Sequence, residues 1–174
     1  MRPLDNIPAN PNPEDTERDL TFVGLLGLDD PPRDTVIDDI KTCADAGIRT
    51  VMITGDNLAT ASSVARRIGI LTDGTKAITG EELADLSDKD LENSIKDYSV
   101  YARISPQDKT RIVRAWQKSG GTVTVTGDSV QDAEALSAAD VGCAMGKFGA
   151  DVAKGNADII IANNRFSSVV CAIR

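Results

Sequence analysis

The sequence predicts an α/β fold, a doubly wound and mainly parallel sheet with helices on both faces, and three observations support it. Short apolar runs alternate along the chain with segments of helical periodicity, as they do in parallel sheets. Two of the runs, at residues 50–56 and 122–128, share the pattern Thr-Val-x-x-Thr-Gly-Asp and continue into helical segments. The chain has 174 residues, 41% of them apolar, which suits one domain with a real core.

The first half of the chain begins with residues 1–18, whose Pro, Asn and Asp residues predict a lead-in or linker. We expect one partial domain over residues 19–174. Capping residues and Pro-containing first turns mark where its helices begin. Its first elements are a strand over residues 19–28, a helix from Val36 to near Gly47, a strand over residues 48–54, a helix between Asn57 and Gly69, and two short helices after Thr79 and Ser87.

The second half continues the alternation of strands and helices. Ser105 caps a strongly amphipathic helix that begins with Pro106 and ends at Gly120. The remaining predicted elements are strands over residues 99–104, 122–126, 141–145 and 158–162, helices over residues 130–139 and 150–154, and a last helix from Phe166.

Composition excludes several classes of function. The net charge of −8 argues against nucleic acid and acidic lipid surfaces as partners. No stretch approaches the ~20 apolar residues of a membrane span, so the chain as given is expected to be soluble. The absence of histidine excludes Ser-His and Cys-His nucleophile pairs and His-ligated zinc. Three widely spaced cysteines, Cys43, Cys143 and Cys171, are predicted to be reduced thiols.

The two Thr-Gly-Asp motifs predict one shared site at the carboxyl edge of the sheet, where ligands bind in parallel α/β folds. Thr54 and Gly55 precede a helix, so they can offer a hydroxyl and backbone amides to an anion. Asp128 lies at a strand tip, and Asp132 follows one helical turn later on the same side. Two carboxylates at this spacing suit Mg²⁺, so the pattern predicts Mg²⁺-phosphate chemistry.

Six pieces of the chain, in this order over about residues 19–170, carry a family resemblance. They are DLTFVGLLGLDDPPR, AGIRTVMITGDN, VYARISPQDK, VTGDSVQDAEAL, ADVGCAMG and GADVAKGNADIII. The chain resembles the phosphorylation domain of P-type cation-transporting ATPases, within the haloacid dehalogenase-like (HAD-like) superfamily. The DPPR and DVAK pieces are most similar to the calcium-pump-like and sodium-pump-like members, and calcium is the expected ion.

The resemblance implies a role for each matching residue of the site. Thr54 and Gly55 match the positions that hold the phosphoryl group. Lys109 matches the lysine that neutralises the phosphate and the nucleophile, whereas periodicity alone favours a solvated lysine. Asp128 matches the direct Mg²⁺ ligand, and Asp132 matches the acidic residue that supports the metal and the lysine.

The resemblance also implies contacts with a nucleotide. Asp56 and Arg103 match positions near the bound nucleotide, although an ordinary strand-to-helix turn explains the first equally well. Asp30 and Arg33 match the hinge next to the nucleotide-binding domain. For this second pair, a Pro-containing helix start is the alternative interpretation.

The chain departs from the family pattern in two ways. The family loop TGDGVNDAPAL is changed here at Ser129, Gln131 and Glu134, and the serine gives up the freedom that glycine has in a tight turn. The family nucleophile is the aspartate of a DKTGT motif, and the sequence contains no such motif. Residues 108–110 spell Asp-Lys-Thr, but Arg111 follows them at a predicted helix start.

The absent motif belongs to a central strand of the family's sheet, so the sheet is predicted to lack the strand that carries the nucleophile. The strands that end at Thr54 and Thr126 would then face a gap or pair directly. Unpaired strand edges attract other strands. We therefore expect dimerisation, strand swapping or the amino-terminal segment to fill them.

The sequence thus predicts a fragment of the catalytic phosphorylation domain of an ATP-driven, calcium-transporting pump. The parent protein would be an enzyme, with this piece as part of its cytoplasmic domain. ATP, phosphate and the nucleotide-binding and transmembrane domains are the expected partners, and Mg²⁺ is the expected cofactor. The isolated chain is expected to be inactive. The alternatives are a free-standing HAD-like phosphatase with Asp30 as nucleophile, or a non-catalytic module that binds Mg²⁺ or phosphate.

Overall fold

The computed structural model describes residues 6, 9–27, 31–147 and 149–173, apart from the side chain of Asp15. Contacts divide the chain into two compact units, Met1–Pro31 and Pro32–Arg174. The second unit contains both Thr-Gly-Asp motifs and all the strands of the described residues.

The first unit has one short helix, α1 (Pro13–Thr16), which Asn12 caps by accepting a hydrogen bond from the backbone of Glu14. The prediction of a strand over residues 19–28 is wrong for residues 20–27, because these residues form neither strand nor helix. A strand needs a partner edge for its backbone groups, and this unit supplies none within the described residues. Five apolar side chains of the segment are exposed: Leu20, Phe22, Val23, Leu25 and Leu26.

The second unit alternates helices and strands, as predicted. Its helices are α2 (Thr35–Asp45), α3 (Leu58–Arg67), α4 (Gly80–Ala84), α5 (Asp88–Ser94), α6 (Pro106–Lys118), α7 (Ala133–Ala138), α8 (Asp151–Gly155) and α9 (Phe166–Ile173). Its strands are β1 (Met52–Ile53), β2 (Lys76–Thr79), β3 (Tyr98–Ala102), β4 (Thr124–Gly127), β5 (Val141–Met145) and β6 (Ile159–Ile161). Short 3₁₀ turns occupy Ile95–Asp97 and Val130–Asp132.

All the strand pairs are parallel, which confirms the predicted doubly wound α/β class. The strands form two separate three-stranded sheets, in the orders β1-β3-β2 and β4-β5-β6. In the first sheet Met52 pairs with Val100, and in the second Thr126 pairs with Cys143. Strands β1 and β4 are therefore edge strands that do not pair with each other.

Helices cover both faces of the first sheet, because neighbouring residues of its strands pack into different apolar clusters. Val100 and Ala102 of β3 pack with helices α2 and α3, whereas Tyr101 packs with α5 and α6. Strand β1 repeats the alternation, since Met52 contacts the first cluster and Ile53 the second. A strand beside β1 would thus be covered by helices on each side.

Helix caps lie where the sequence predicts them. The side chains of Asn57, Thr79, Ser87 and Ser105 each accept a hydrogen bond from the first turn of α3, α4, α5 and α6, respectively. The helix predicted over residues 130–139 begins instead as a 3₁₀ turn and becomes α-helical at Ala133. Strand β2 was not predicted. Within the described residues, no helix has the length and apolar character needed to cross a membrane.

Candidate functional site

The first Thr-Gly-Asp motif forms a tight turn after β1. The hydroxyl of Thr54 accepts a hydrogen bond from the Asp56 amide at 3.1 Å. The turn is tied to the segment after β3, because Arg103 donates from its amide to the Asp56 carbonyl at 3.0 Å. The amide of Ile104 likewise donates to the Thr54 carbonyl at 3.1 Å. These contacts bring the carboxyl ends of β1 and β3 together and leave the Gly55 backbone exposed.

Arg103 adopts an unusual backbone conformation at this junction. Its φ is 53°, in the left-handed region that non-glycine residues rarely enter. Its side chain is exposed, and its amide holds the turn. Strain of this kind persists only where the surroundings enforce it, and it is often found near binding sites.

Lys109 lies in the first turns of α6, close in sequence to this junction. Ser105 caps α6, and its carbonyl accepts from the Lys109 amide at 3.2 Å. The Lys109 Nζ forms an ion pair with Asp132 Oδ1 at 2.6 Å. Only 16% of the Lys109 side chain and 14% of the Asp132 side chain are exposed. A pair this well shielded from solvent is held in one geometry, unlike most surface ion pairs.

The Asp132 carboxylate is engaged on both oxygens. Oδ1 accepts a hydrogen bond from Lys109 Nζ. Oδ2 accepts hydrogen bonds from the amides of Asp128 and Ser129, at 3.2 and 3.0 Å, and from the Ser129 hydroxyl at 2.7 Å. Burial raises the pKa of Asp132, but the hydrogen bonds from Lys109 and Ser129 outweigh it and hold the pKa below its usual value. The group is therefore ionised at neutral pH and fixes the β4 loop.

Asp128 lies at the tip of β4, and its residue is exposed. Its carbonyl accepts a hydrogen bond from the Ala150 amide at 2.7 Å. In the described part of the chain, no hydrogen bond or ion pair involves the Asp128 carboxylate. This carboxylate is thus available to a ligand from solvent.

These donors fit a Mg²⁺ ion only in part. Mg²⁺ prefers one or two carboxylates together with waters and phosphate oxygens. Asp128 provides one free carboxylate, while Asp132 is committed to Lys109 and the β4 loop. No group of three or more acidic or thiol side chains is arranged for a metal among the described residues. The site therefore suits a cation that arrives with an anion and further ligands.

A cavity of about 460 Å³ lies between β1 and β4, at the edges that pair with no other strand of the described residues, and we call it the inter-sheet slot. Lys109, Asp132 and Thr126 line its carboxyl end. Its body is mainly apolar, with side chains from β1, β4, α2, α6 and α9. The predicted gap in the sheet is therefore present, and the Lys109–Asp132 pair opens onto it.

The structure groups the predicted site residues into two sets. One set, Thr54, Gly55, Asp56 and Arg103, forms the junction of β1 and β3. The other set, Lys109, Asp128 and Asp132, surrounds the tip of β4. The two sets meet through the backbone between Ile104 and Lys109, since this segment bonds to Thr54 at one end and carries the lysine at the other.

Two predicted site residues are not part of these sets. Arg33 donates from Nη1 to the Asn164 carbonyl at 2.7 Å, in the loop between β6 and α9. Asp30 lies outside the described residues. The hinge role that the resemblance gives to both positions stays a prediction.

Sequence reasoning missed the role of Ser129. The sequence showed only that the serine gives up the freedom of glycine, and Ser129 has φ −108°, which needs no glycine. Its hydroxyl and amide both support Asp132. The close packing of Gly127 was also missed, because a Cβ there would come within 2.5 Å of the Asp132 Cβ. The sequence did carry a signal for the role of Ser129, because a serine followed three residues later by an acidic residue is the pattern of a capping box.

With this geometry in place, the chain can be assigned to a class of proteins. Residues 5–140 match the family of haloacid dehalogenase-like hydrolases, and the chain belongs to that family. Parallel α/β sheets with polar loops at their carboxyl ends agree with this assignment.

Among the proteins similar in sequence to this chain are calcium-transporting ATPases. The chain is 47% identical over 165 residues to calcium-transporting ATPase 1 of Bacillus cereus, covering 95% of the chain and 19% of the relative. It is 46% identical over 162 residues to calcium-transporting ATPase 1 of Yarrowia lipolytica, covering 92% of the chain and 18% of the relative. The chain thus spans about a fifth of the length of these curated relatives.

A solved structure shows the same fold. It is described as the catalytic domain of the CPx-ATPase CopB-B, in a study of conformational changes on nucleotide binding. The match has a TM-score of 0.61 at 26% identity and covers 82% of this chain and 45% of that one. The predicted resemblance to P-type ATPase phosphorylation domains is confirmed at the level of family and fold.

Proposed function

We propose that this chain supplies the phosphate-binding and Mg²⁺-binding part of a phosphoryl-transfer domain. The observation that carries the proposal is the buried Lys109–Asp132 ion pair, which opens onto the inter-sheet slot. The same Asp132 carboxylate accepts a hydrogen bond from the amide of Asp128, whose own carboxylate has no partner among the described residues. Phosphoryl transfer depends chiefly on positioned charge around the transferred group. A fixed lysine and a carboxylate that can hold Mg²⁺ are two such charges.

Each residue has a role that its contacts support. Lys109, oriented by Asp132, would neutralise charge on the phosphoryl group and on a nearby nucleophile. Thr54 and Gly55 would bind phosphoryl oxygens through the hydroxyl and the exposed backbone. When bound, Mg²⁺ would neutralise phosphate charge, with Asp128 as its direct protein ligand. Asp132 would act by orienting Lys109 and the β4 loop.

The larger context of this site is also a proposal. The relatives named for calcium transport suggest an ATP-driven pump that moves Ca²⁺. Asp56, Arg103, Asp30 and Arg33 would then lie near the nucleotide or its domain. ATP, a nucleotide-binding domain and transmembrane helices would be the partners, and the domain would face the cytoplasm. Dimers or strand exchange through the unpaired edges are a further proposal.

The isolated chain is expected to bind ligands without forming a phosphoenzyme. It contains no DKTGT motif. Lys109 lines the inter-sheet slot, which supports the proposal that a strand with a nucleophilic aspartate would meet this lysine there. An acid-stable radiolabelled adduct formed from ATP on the purified chain would contradict this expectation. If Asp30→Asn abolished that adduct, the free-standing phosphatase would be the better interpretation.

Titration calorimetry tests the binding proposal. Mg²⁺ titrated in the presence of inorganic phosphate should bind weakly, and the Asp128→Asn variant should lose that binding. Glu134→Gln is the matched control, because Glu134 is an exposed acid on the helix that follows the same loop. If both variants bind Mg²⁺ like the unchanged chain, Asp128 is not the ligand and the proposal fails.

A further inference from the structure

We propose that Ser129 is a positioning residue of the candidate site. Its hydroxyl occupies one oxygen of the Asp132 carboxylate, which keeps that carboxylate on Lys109 and leaves Asp128 as the protein ligand of a bound Mg²⁺ ion. The inference rests on the proposed function, because it concerns the same Mg²⁺ and phosphate. It goes further by assigning the two carboxylates to different cations and by naming the side chain that keeps them apart.

The Oδ2 atom of Asp132 has no lone pair left for a metal ion. It accepts hydrogen bonds from three donors, the amide of Asp128 at 3.2 Å, the amide of Ser129 at 3.0 Å and the hydroxyl of Ser129 at 2.7 Å. An ionised carboxylate offers about four lone-pair sites over its two oxygens, so these donors fill Oδ2. The other oxygen, Oδ1, is held by Lys109 Nζ at 2.6 Å.

The Ser129 hydroxyl makes the shortest of the three contacts with Oδ2, and it is the one that a side chain supplies. A carboxylate without a proton can only accept, so the serine must be the donor. Charge-assisted hydrogen bonds of this kind are short and roughly twice as strong as neutral ones. Without the hydroxyl, Oδ2 would keep only the two amide donors, at 3.2 and 3.0 Å. A lone pair would then become available to a cation.

Lysine and Mg²⁺ are rivals for the Asp132 carboxylate, because both are cations. A metal ion on Oδ2 would share this carboxylate with the ammonium group of Lys109, and the two positive charges would repel each other. Both side chains are well shielded from water, so solvent would screen this repulsion little. By filling Oδ2, the Ser129 hydroxyl therefore protects the position of Lys109.

Asp128 differs from Asp132 in its access to solvent and in the state of its carboxylate. The residue is exposed, and its carboxylate has no hydrogen bond or ion pair in the described part of the chain. A cation can reach it without displacing a lysine. Mg²⁺ needs only one or two carboxylates when waters and phosphate oxygens complete its shell. The loop after β4 thus gives Asp132 to the lysine and Asp128 to the metal.

Titration calorimetry on the full chain tests the proposal, with Mg²⁺ and inorganic phosphate titrated separately into Ser129→Ala. Alanine adopts φ −108° without strain, so the variant removes only the hydroxyl. Mg²⁺ should bind at least about threefold more tightly, because Asp132 can then join Asp128, and phosphate at least about threefold more weakly, because Lys109 is no longer fixed. A serine that merely held the loop in shape would weaken both affinities when removed.

Two further variants serve as controls. Ser129→Thr keeps a hydroxyl, and the extended backbone at this position, with φ −108° and ψ 163°, suits a β-branched residue. This variant should therefore restore both affinities to those of the unchanged chain. Ser137→Ala removes an exposed serine from α7, the helix that follows the same loop, and it should alter neither affinity.

The ammonium group of Lys109 gives a second readout, which needs no ligand. Its protons should exchange with water faster in Ser129→Ala than in the unchanged chain or in Ser129→Thr, as measured by NMR of isotopically labelled protein. If Ser129→Ala leaves both affinities unchanged or weakens both, the positioning role is wrong, while the proposed function stands on the binding by the unchanged chain. An unchanged chain that binds neither Mg²⁺ nor phosphate overturns the proposed function and this inference together.

Discussion

At the scale of single residues, the ion pair between Lys109 and Asp132 determines the character of the site. Both side chains are shielded, and removing the lysine leaves a carboxylate with only its Ser129 and backbone partners. We expect Lys109→Met to lower the free energy of unfolding by about 1–3 kcal/mol, the usual cost of removing one hydrogen-bond partner from a buried polar atom. Urea denaturation of the purified variant measures this loss.

The matched control for that substitution is Lys118→Met. Lys118 pairs with Glu92 at 2.5 Å, but 62% of the lysine side chain is exposed. Water screens such a pair, so its loss should affect stability much less. Equal losses from the two variants would show that burial does not strengthen the Lys109–Asp132 pair.

The lowered pKa of Asp132 predicts how the stability of the folded state depends on pH. Its folded-state pKa lies below the ordinary value of 3.8, so the folded state binds this proton less readily than the unfolded state. The stabilisation is complete above about pH 4 and is lost as the pH falls through the lower folded pKa. Asp132→Asn should therefore make acid unfolding less steep below about pH 4, as measured by circular dichroism. An unchanged slope would contradict the assigned hydrogen bonds.

At the scale of elements, the loop after β4 depends on a close approach between Gly127 and Asp132. A Cβ at position 127 would lie 2.5 Å from the Asp132 Cβ, which is too near the backbone to move away cheaply. We expect Gly127→Ala to cost about 1–3 kcal/mol of stability, as overpacking usually does. Thermal unfolding tests this expectation.

Gly155→Ala provides the comparison at a glycine with free space. No atom lies within 4 Å of the position that its Cβ would take, and Gly155 ends helix α8. Alanine loses less backbone entropy there, so stability should be unchanged or rise by up to about 1 kcal/mol. If both variants lose the same stability, the approach to Asp132 does not explain the loss.

The sequence predicts elements best where local signals suffice. Ser105 and Pro106 mark the start of α6, and Asn57 marks the start of α3, because capping depends only on neighbouring residues. Strand β2 was missed because Lys76–Thr79 is short and mixed in polarity, and its pairing with β3 alone makes it a strand. The segment over residues 20–27 has the composition of a strand but forms neither strand nor helix in the structure, which no local pattern reveals.

In the candidate site, too, features with a local sequence signal were predicted, and features that depend on distant contacts were not. Both Thr-Gly-Asp loops follow from strand periodicity and turn residues. The contact of Lys109 with Asp132 joins residues 23 positions apart, and helical periodicity alone favoured a solvated lysine. Only the family resemblance placed that lysine in the site. The contribution of Ser129 needed its backbone angles, which sequence does not supply.

At the scale of the whole molecule, the division into two sheets is the main departure from a continuous doubly wound fold. Among the described residues, the central strands β3 and β5 have partner strands on both sides, whereas β1 and β4 each have one. Helices on both faces enclose the inter-sheet slot, which no strand of the described residues occupies. Stability should therefore be uneven across the molecule, since strands with one partner open more easily.

Hydrogen exchange measures this unevenness. In a sample dilute enough to be monomeric, amides of β3 and β5 should exchange at least about tenfold more slowly than those of β1 and β4. The fully buried Val100 and Tyr101 represent the protected strands, and Val125, half-buried in β4, represents the edges. Raising the concentration should slow exchange in β1 and β4 selectively, because an added strand would satisfy their free backbone groups. If β4 is already as protected as β5 in the monomer, its edge is occupied within a single chain, and the slot is not available to a second copy.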